Sequence, residues 1–192
     1  MDFFGAAYQG TPPWDIGRPQ KEFVELARRR EITGSVLDIG CGTGEHALFF
    51  AAEGHEVWGI DSAPLAIQKA QEKAAGRGLS VHFLVLNALD LSKLDRKFDT
   101  ATDSGLFHTL SDEDRPVFVE NLAAILSPAG KYFMLCFSER EPGGYGPRRV
   151  TQKEIQDSFR NGWSINYIRP AVFESRTRAE GPQAWLSSIS KK

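Results

Sequence analysis

Cysteine is almost missing from this chain. Cys41 and Cys136 are its only two, too few for a disulfide framework and without metal-ligand spacing, so both read as reduced thiols and no metal is expected. Long apolar runs are missing too. The longest in the first half, residues 47–52, falls far short of the roughly 18 to 20 residues that a membrane span needs, so no membrane partner is expected. Neither sign of charge dominates: 23 Lys and Arg stand against 25 Asp and Glu, a net charge of −2. A general nucleic-acid binder usually carries a basic excess, so no nucleic acid is expected either. A basic leader is absent, since Met1-Asp2-Phe3-Phe4-Gly5 places an acid where a secretory signal is positive and no long apolar stretch follows. The expected location is the cytoplasm. With 41% apolar and 25% charged residues, the composition is that of a soluble globular protein. The 192 residues form one ordinary domain, spanning 1–192, and leave no room for a separate macromolecule-recognition domain.

What is present is an alternation of short apolar runs with helical patterns. Residues 35–39, 55–60, 81–86, 98–102 and 131–137 read as strands. Helical spacing occupies residues 19–30 and 45–53, the second closed by Gly54. Ser62 offers a cap for a helix to about residue 75, ended by Gly76 and Gly78. Another helix follows Ser111-Asp112-Glu113-Asp114 and is stopped by Pro128-Ala129-Gly130; a third opens on the capping box Thr151-Gln152-Lys153-Glu154. Residues 164–172 and 184–189 then read as an antiparallel strand pair. Five βα-type units and this pair describe an α/β fold: an open, mostly parallel sheet with helices on both faces. Ligands of such sheets bind beyond the carboxyl ends of the strands, where strand order reverses.

The first strand runs into Asp38-Ile39-Gly40-Cys41-Gly42-Thr43-Gly44-Glu45. Three alternate glycines permit a tight turn and let a ligand approach the backbone. Asp61 ends the second strand 21 residues after Gly40, where a carboxylate accepts from both ribose hydroxyls, so the ligand contains an adenosine. A dinucleotide loop reads G-x-G-x-x-G; here the third glycine's place holds Glu45, whose carboxylate repels a pyrophosphate. Asp38, inside the strand, suits a ligand with an ammonium or sulfonium charge.

The stretch Val36-Leu37-Asp38-Ile39-Gly40-Cys41-Gly42-Thr43-Gly44 resembles the first motif of the class I S-adenosylmethionine-dependent methyltransferases. The resemblance covers about residues 10–160 and implies a Rossmann-like, seven-stranded sheet with S-adenosyl-L-methionine as cofactor and S-adenosyl-L-homocysteine as product. It implies that Gly40, Cys41, Gly42 and Gly44 lie against the methionyl group and ribose, with Asp61 and its neighbour Ser62 at the sugar. The family usually has an acid after the third strand facing the adenine amine. Here Asn87-Ala88 stand instead, and an amide oxygen still accepts from that amine. Three further segments, Pro12-Pro13-Trp14-Asp15-Ile16-Gly17-Arg18-Pro19-Gln20, Gly44-Glu45-His46-Ala47 and Asp103-Ser104-Gly105-Leu106-Phe107-His108, resemble small bacterial heterocyclic-toxin, thiopurine and tellurite methyltransferases. The implied partner is a small, flat methyl acceptor, aromatic or heterocyclic, methylated on O, S or N.

Such a transfer needs alignment and exclusion of water more than acid–base chemistry. If a base is used, His108 after the fourth strand is the candidate, also as a substrate contact. Asp103 is placed at the cofactor or acceptor edge, with capping of its own turn as the alternative. His46 reads as a local fix for the glycine loop, while His55 and His82 read as structural. Residues 1–20, with Phe3, Phe4, Tyr8 and Trp14, read either as an N-terminal helix packing on the core or as a flap, and the resemblance favours the flap: Trp14 is then expected on the cofactor and Tyr8 on the substrate. Arg18 is left between the cofactor carboxylate and solvent. A second cover, residues 139–150, brings Tyr145 and Arg148 to the substrate, and Arg148 with Arg149 attracts an anionic acceptor or forms a solvated face. Two other readings stay open: a non-catalytic S-adenosylmethionine-binding or regulatory protein, and an NAD-dependent oxidoreductase, which the glycine spacing opposes.

Overall fold

The computed structural model describes residues 3–192. Met1 and Asp2, on which the expectation of no leader rests, lie outside the described residues. Seven strands form one sheet in the order β3-β2-β1-β4-β5-β7-β6. They are β1 (Val36–Ile39), β2 (Val57–Asp61), β3 (His82–Val85), β4 (Phe98–Ser104), β5 (Leu126–Phe137), β6 (Trp163–Val172) and β7 (Gln183–Lys191). The first five pair in parallel, and β7 runs antiparallel to both β5 and β6. Every residue of β1 is buried, as expected of a central parallel strand covered on both faces. The α/β fold class and the antiparallel end are those read from the sequence.

The described residues open on a short helix, α1 (Phe3–Ala7). Two apolar layers cover the sheet. One lies beneath α2 (Lys21–Arg28), α3 (Glu45–Ala52) and α4 (Pro64–Arg77) and is built on Phe23, Phe50 and Phe83. The other lies beneath α5 (Asp114–Ile125) and α6 (Gln152–Ser158) and is built on Phe107, Phe118, Tyr132 and Phe159. Strand order reverses between β1 and β4. The loops leaving those two strands therefore part to opposite faces and open a crevice at their carboxyl ends.

Several boundaries differ from the sequence reading. Helix α4 starts at Pro64 with Ala63 at its N-cap and no side-chain cap; Ser62 is not the cap, because Pro64 has no N–H to offer it, and Asp61 Oδ1 accepts from the Ala63 N–H at 2.8 Å. Gly76 is inside α4, and only Gly78, left-handed at φ 64°, ends it. The segment after β3, to which the sequence assigns no element, is a 3-10 helix, Ala88–Leu94. Helix α5 passes at Leu126 straight into β5, where Leu126 pairs with Phe98. Pro128-Ala129-Gly130 thus makes an irregularity within β5 rather than the helix stop. The capping box at Thr151 and Glu154 is present in full. No helix among the described residues is long and apolar enough to cross a membrane.

Candidate active site

The glycine loop is bent by its backbone. Gly40, Gly42 and Gly44 have φ of 67°, 53° and 85°, left-handed values that cost an L-residue about 1 to 2 kcal/mol. Space is restricted as well: a Cβ on Gly42 would stand 2.6 Å from Tyr8 Oη, and one on Gly44 would stand 2.8 Å from Phe83 Cζ. Gly44 therefore serves helix-to-strand packing, while Gly42 lies under the N-terminal cover. Asp61 ties this loop to the end of β2, since its Oδ2 accepts from the Gly42 N–H at 2.9 Å.

Asp38 lies below the loop on β1 and is 1% exposed. Its Oδ1 accepts from Thr102 Oγ1 at 2.9 Å, whereas Oδ2 makes no hydrogen bond, although the Ala47 N–H lies near enough to favour the charged form. Burial pushes the carboxyl up to about 7. A buried carboxylate beneath a glycine-rich bend supplies the negative charge that suits a cationic adenosyl ligand. The residues fit S-adenosylmethionine.

Glu45 corrects one step of the sequence argument. Its carboxylate does not face the loop as an unpaired charge: Lys73 contacts it at 2.8 Å and Arg77 at 2.9 Å. Burial raises its pKa, but the hydrogen bonds from Arg77 and Lys73 outweigh that and hold the carboxyl below its ordinary value. The same Lys73 donates to Thr43 Oγ1 at 2.7 Å, and Thr43 donates to Asp15 Oδ2 at 2.9 Å. A polar chain thus runs from α4 through the glycine loop to the cover.

That cover is an aromatic cluster: Phe3, Phe4 and Tyr8 all lie within 6.3 Å of the Trp14 ring, centre to centre. Lys69 on α4 donates to the carbonyls of Tyr8 and Gly10 at 2.7 and 3.0 Å. At its far end, Arg18 pairs with Glu174 at 2.9 Å, a partner that neither of its two expected positions included. His46 Nε2 accepts from the Gln20 N–H at 3.0 Å, and burial lowers its pKa to about 4. It fixes the cover and is not aimed at a ligand.

Beneath the cover is a cavity of about 950 Å³. One side carries Gly40, Asp61, Ser62, Asn87 and Ala88, and the roof carries Tyr8 and Trp14. A further stretch of the lining is aromatic, with His108, Phe137 and Phe173 in contact with one another. Cys41 and Gly42 line a small adjoining cleft with Tyr8 and Trp14. Asn87 has one lone pair engaged, because its Oδ1 accepts from the Leu89 N–H at 2.9 Å.

Other expected residues fall elsewhere. Asp103 is fully buried and off the cavity wall; it accepts from the Leu106 N–H (2.6 Å), the Phe107 N–H (2.9 Å) and Tyr132 Oη (2.7 Å). It caps its own turn, the alternative already raised. Tyr145 is 48% exposed and absent from the wall, bonded through its hydroxyl to Glu141 and Arg178. Arg148 is on the wall but paired with Asp112 and Glu154. Arg149 donates to backbone carbonyls of residues 141, 142, 145 and 147 and stacks on Phe137, so it organises the loop rather than attracting an anion. Tyr8 is 4% exposed, accepts from Trp14 Nε1 at 3.1 Å and sits over Gly42. It therefore stands at the glycine-loop end of the cover, and it also lines the cavity that His108 borders.

His108 is buried on the wall, with its ring centre 4.9 Å from that of Phe137 and 6.0 Å from that of Phe173. Its Nδ1 accepts from the Phe137 N–H at 3.0 Å. Burial, then the charge of Arg149, lowers its pKa to about 3. A ring that resists protonation, with one nitrogen already engaged, is a poor proton acceptor. Sequence reasoning missed Phe137 as a wall residue and Phe173 altogether; the latter lies in the β6–β7 connection, where no local pattern signals a contact with Gly105 and His108.

The family model described as a methyltransferase domain matches residues 36–130. Over 182 residues the chain is 35% identical to the 2-heptyl-1-hydroxyquinolin-4(1H)-one methyltransferase of Mycobacteroides abscessus, covering 89% of this chain and 80% of that protein. The chain belongs to the methyltransferase family. It is an S-adenosylmethionine-dependent enzyme related to methyltransferases of small molecules. A solved structure from work on converting a disulfide bond into a thioacetal group during echinomycin biosynthesis is 33% identical, with a TM-score of 0.90 over 98% of this chain and 91% of that one. The probable thiol methyltransferase 2 of Arabidopsis thaliana is 27% identical over 150 residues, 77% of this chain and 66% of that protein. TehB of Haemophilus influenzae, 16% identical with a TM-score of 0.74 over 100% of this chain and 66% of that one, shares the fold.

Proposed function

We propose that this methyltransferase acts on an oxygen or sulfur atom of a small, flat aromatic or heterocyclic molecule seated against His108, Phe137 and Phe173. One observation carries the reading: a single cavity joins the Gly40 and Asp61 edge to that aromatic wall. At about 950 Å³ it is at the upper end of ligand pockets, which run roughly from 300 to 1,000 Å³, and suits two molecules side by side. The hydroxyquinolinone acted on by the Mycobacteroides relative and the thiols named for the plant relative support an acceptor of this chemistry.

Gly40 and Gly42 provide close backbone approach, Asp61 accepts from sugar hydroxyls, Asn87 and Ala88 border the base, and Asp38 offsets positive charge from below. S-Adenosyl-L-methionine, when bound, supplies an activated methyl group and leaves as S-adenosyl-L-homocysteine. Trp14 and Tyr8 close the cavity above and exclude water, while the aromatic wall aligns the acceptor plane. Orientation of this kind is worth several kcal/mol of barrier. The chain works as one domain, with residues 3–20 as its cover, in the cytoplasm. It takes a small molecule rather than nucleic acid, consistent with its net charge of −2.

Calorimetry with S-adenosylhomocysteine and a mass-spectrometric search for a gain of one methyl group, in a mixture of hydroxyquinolinones, phenols and aryl thiols, test the proposal. Product from any of these classes is the expected outcome. Saturable cofactor binding without product from any of them would turn the reading toward a regulatory S-adenosylmethionine-binding protein.

A further inference from the structure

Resting on the methyl-transfer reading above, we propose that His108 meets the acceptor as a hydrogen-bond donor through Nε2–H and takes no proton from it. The accepted molecules are then those that ionise unaided, acidic heteroaromatic hydroxyls and aryl thiols, bound as anions.

The tautomer follows from geometry. Nδ1 accepts from the backbone N–H of Phe137 at 3.0 Å, an interaction that requires an unprotonated nitrogen. A neutral imidazole with a bare Nδ1 carries its hydrogen on Nε2. That nitrogen lies beside Gly105, where an added Cβ would come to 3.3 Å from it, and both residues border the cavity. Gly105, at φ 91°, thus keeps the approach to Nε2 open.

The charged and titratable groups of the surrounding elements agree with a neutral ring. At the end of β4, Asp103 has its oxygens engaged by two amides and Tyr132. Behind Phe137, the Cys136 thiol is buried and pushed up by that burial. In the loop after β5, Glu139 accepts from Trp185 Nε1, Glu141 is bound by Arg178, and Arg148 is paired with Asp112 and Glu154. Arg149 stacks on Phe137 and opposes a second positive charge on the ring. Beyond Phe173, Glu174 is bound by Arg18.

Asp61 and Asp114 also border the cavity, but Asp61 holds the Gly42 and Ala63 amides and Asp114 accepts from Ser111 Oγ at 2.8 Å. For an anionic acceptor the chemistry balances without a base. The acceptor lone pair forms the new bond to the methyl carbon as the carbon–sulfur bond breaks towards sulfur. A cation and an anion become two neutral products, and no proton has to leave.

Two measurements test the inference on the intact enzyme. First, kcat/KM is followed against pH for ring-substituted aryl thiols and 1-hydroxyquinolin-4-ones of graded acidity. The expected result is a rise to a plateau whose midpoint moves one-for-one with the acceptor's own pKa; a midpoint common to all acceptors would identify an enzyme base and overturn the inference. A series in which cofactor binds and nothing is methylated removes the functional reading and the inference with it, whereas methylation with a fixed midpoint removes the inference alone. Second, nitrogen NMR of labelled histidine should show His108 with Nε2 protonated and Nδ1 bare throughout about pH 5 to 8, where an ordinary histidine titrates. The opposite tautomer, or titration in that window, overturns it. His108→Phe keeps a ring and removes the donor, and should raise the acceptor KM about 10- to 100-fold at every pH, as expected for a lost hydrogen bond to a charged group. His108→Gln, which retains an N–H donor, should recover part of that loss. A His108→Phe defect confined to low pH would restore the role of base.

Discussion

Replacing Gly42 by alanine tests how the cover and the glycine loop share space. At φ 53° the alanine backbone costs about 1 to 2 kcal/mol. Its Cβ would lie 2.6 Å from Tyr8 Oη, whereas the next nearest atom, Tyr8 Cζ, lies at 3.5 Å. The clash therefore belongs to one hydroxyl oxygen. Overpacking of this kind typically costs about 1 to 3 kcal/mol more, for a combined loss of about 2 to 5 kcal/mol. Tyr8→Phe alone removes the acceptor of the Trp14 Nε1–H at 3.1 Å and should cost about 1 kcal/mol. In the double variant the clash is gone while the backbone cost remains. Urea denaturation of the four proteins should show the double variant more stable than the sum of the single losses by about 1 to 3 kcal/mol. Strict additivity would mean that the Tyr8 hydroxyl does not occupy the space above Gly42, and the account of the cover would fail.

Asp61→Ala should weaken S-adenosylhomocysteine binding by about 1 to 3 kcal/mol through lost charge-assisted hydrogen bonds; an unchanged calorimetric affinity would refute its place at the sugar. His46 has a folded pKa of about 4 against an ordinary 6.5, so the unfolded chain binds a proton between these values that the folded chain does not. Its contribution is intact above about pH 6.5 and falls by up to about 1.4 kcal/mol per pH unit on acidification towards 4. Asp38, raised to about 7 from 3.8, acts in the opposite direction over that window. The stability gap between wild type and His46→Gln should therefore narrow from pH 6.5 to 4, and a constant gap in urea titrations would contradict a buried neutral ring. Arg149→Ala removes the guanidinium that gathers the carbonyls of Glu141 and Tyr145 at 3.2 and 2.8 Å. Limited proteolysis within residues 140–147 should accelerate and the acceptor KM rise, with cofactor affinity unchanged; protection equal to wild type would refute this role.

Much of this enzyme is legible in local chemistry along the chain. Alternate glycines between a buried apolar run and a helix dictate a bend open to a ligand, and an acid one βα unit later comes to the same cavity, because strand ends in such sheets converge on one edge. The Thr151 and Glu154 box is equally local: both partners lie within one helical turn. By contrast, whether Asp103 faces a ligand or its own turn depended on Tyr132, 29 residues away, and on the Leu106 and Phe107 amides. The same residue type at a strand end serves either purpose.

Sequence alone thus determined the sheet and the loop, since period, punctuation and short spacings are set by neighbours along the chain, while the family resemblance of that loop pointed to the cofactor. Only the tertiary structure decided that Tyr8 belongs over Gly42, that Lys73 and Arg77 neutralise Glu45, that Arg149 organises a loop, and that the Phe137 amide sets the His108 tautomer. Those outcomes depend on burial and on partners supplied from distant segments. A side chain's proton and direction are properties of that enclosure, not of the residue type.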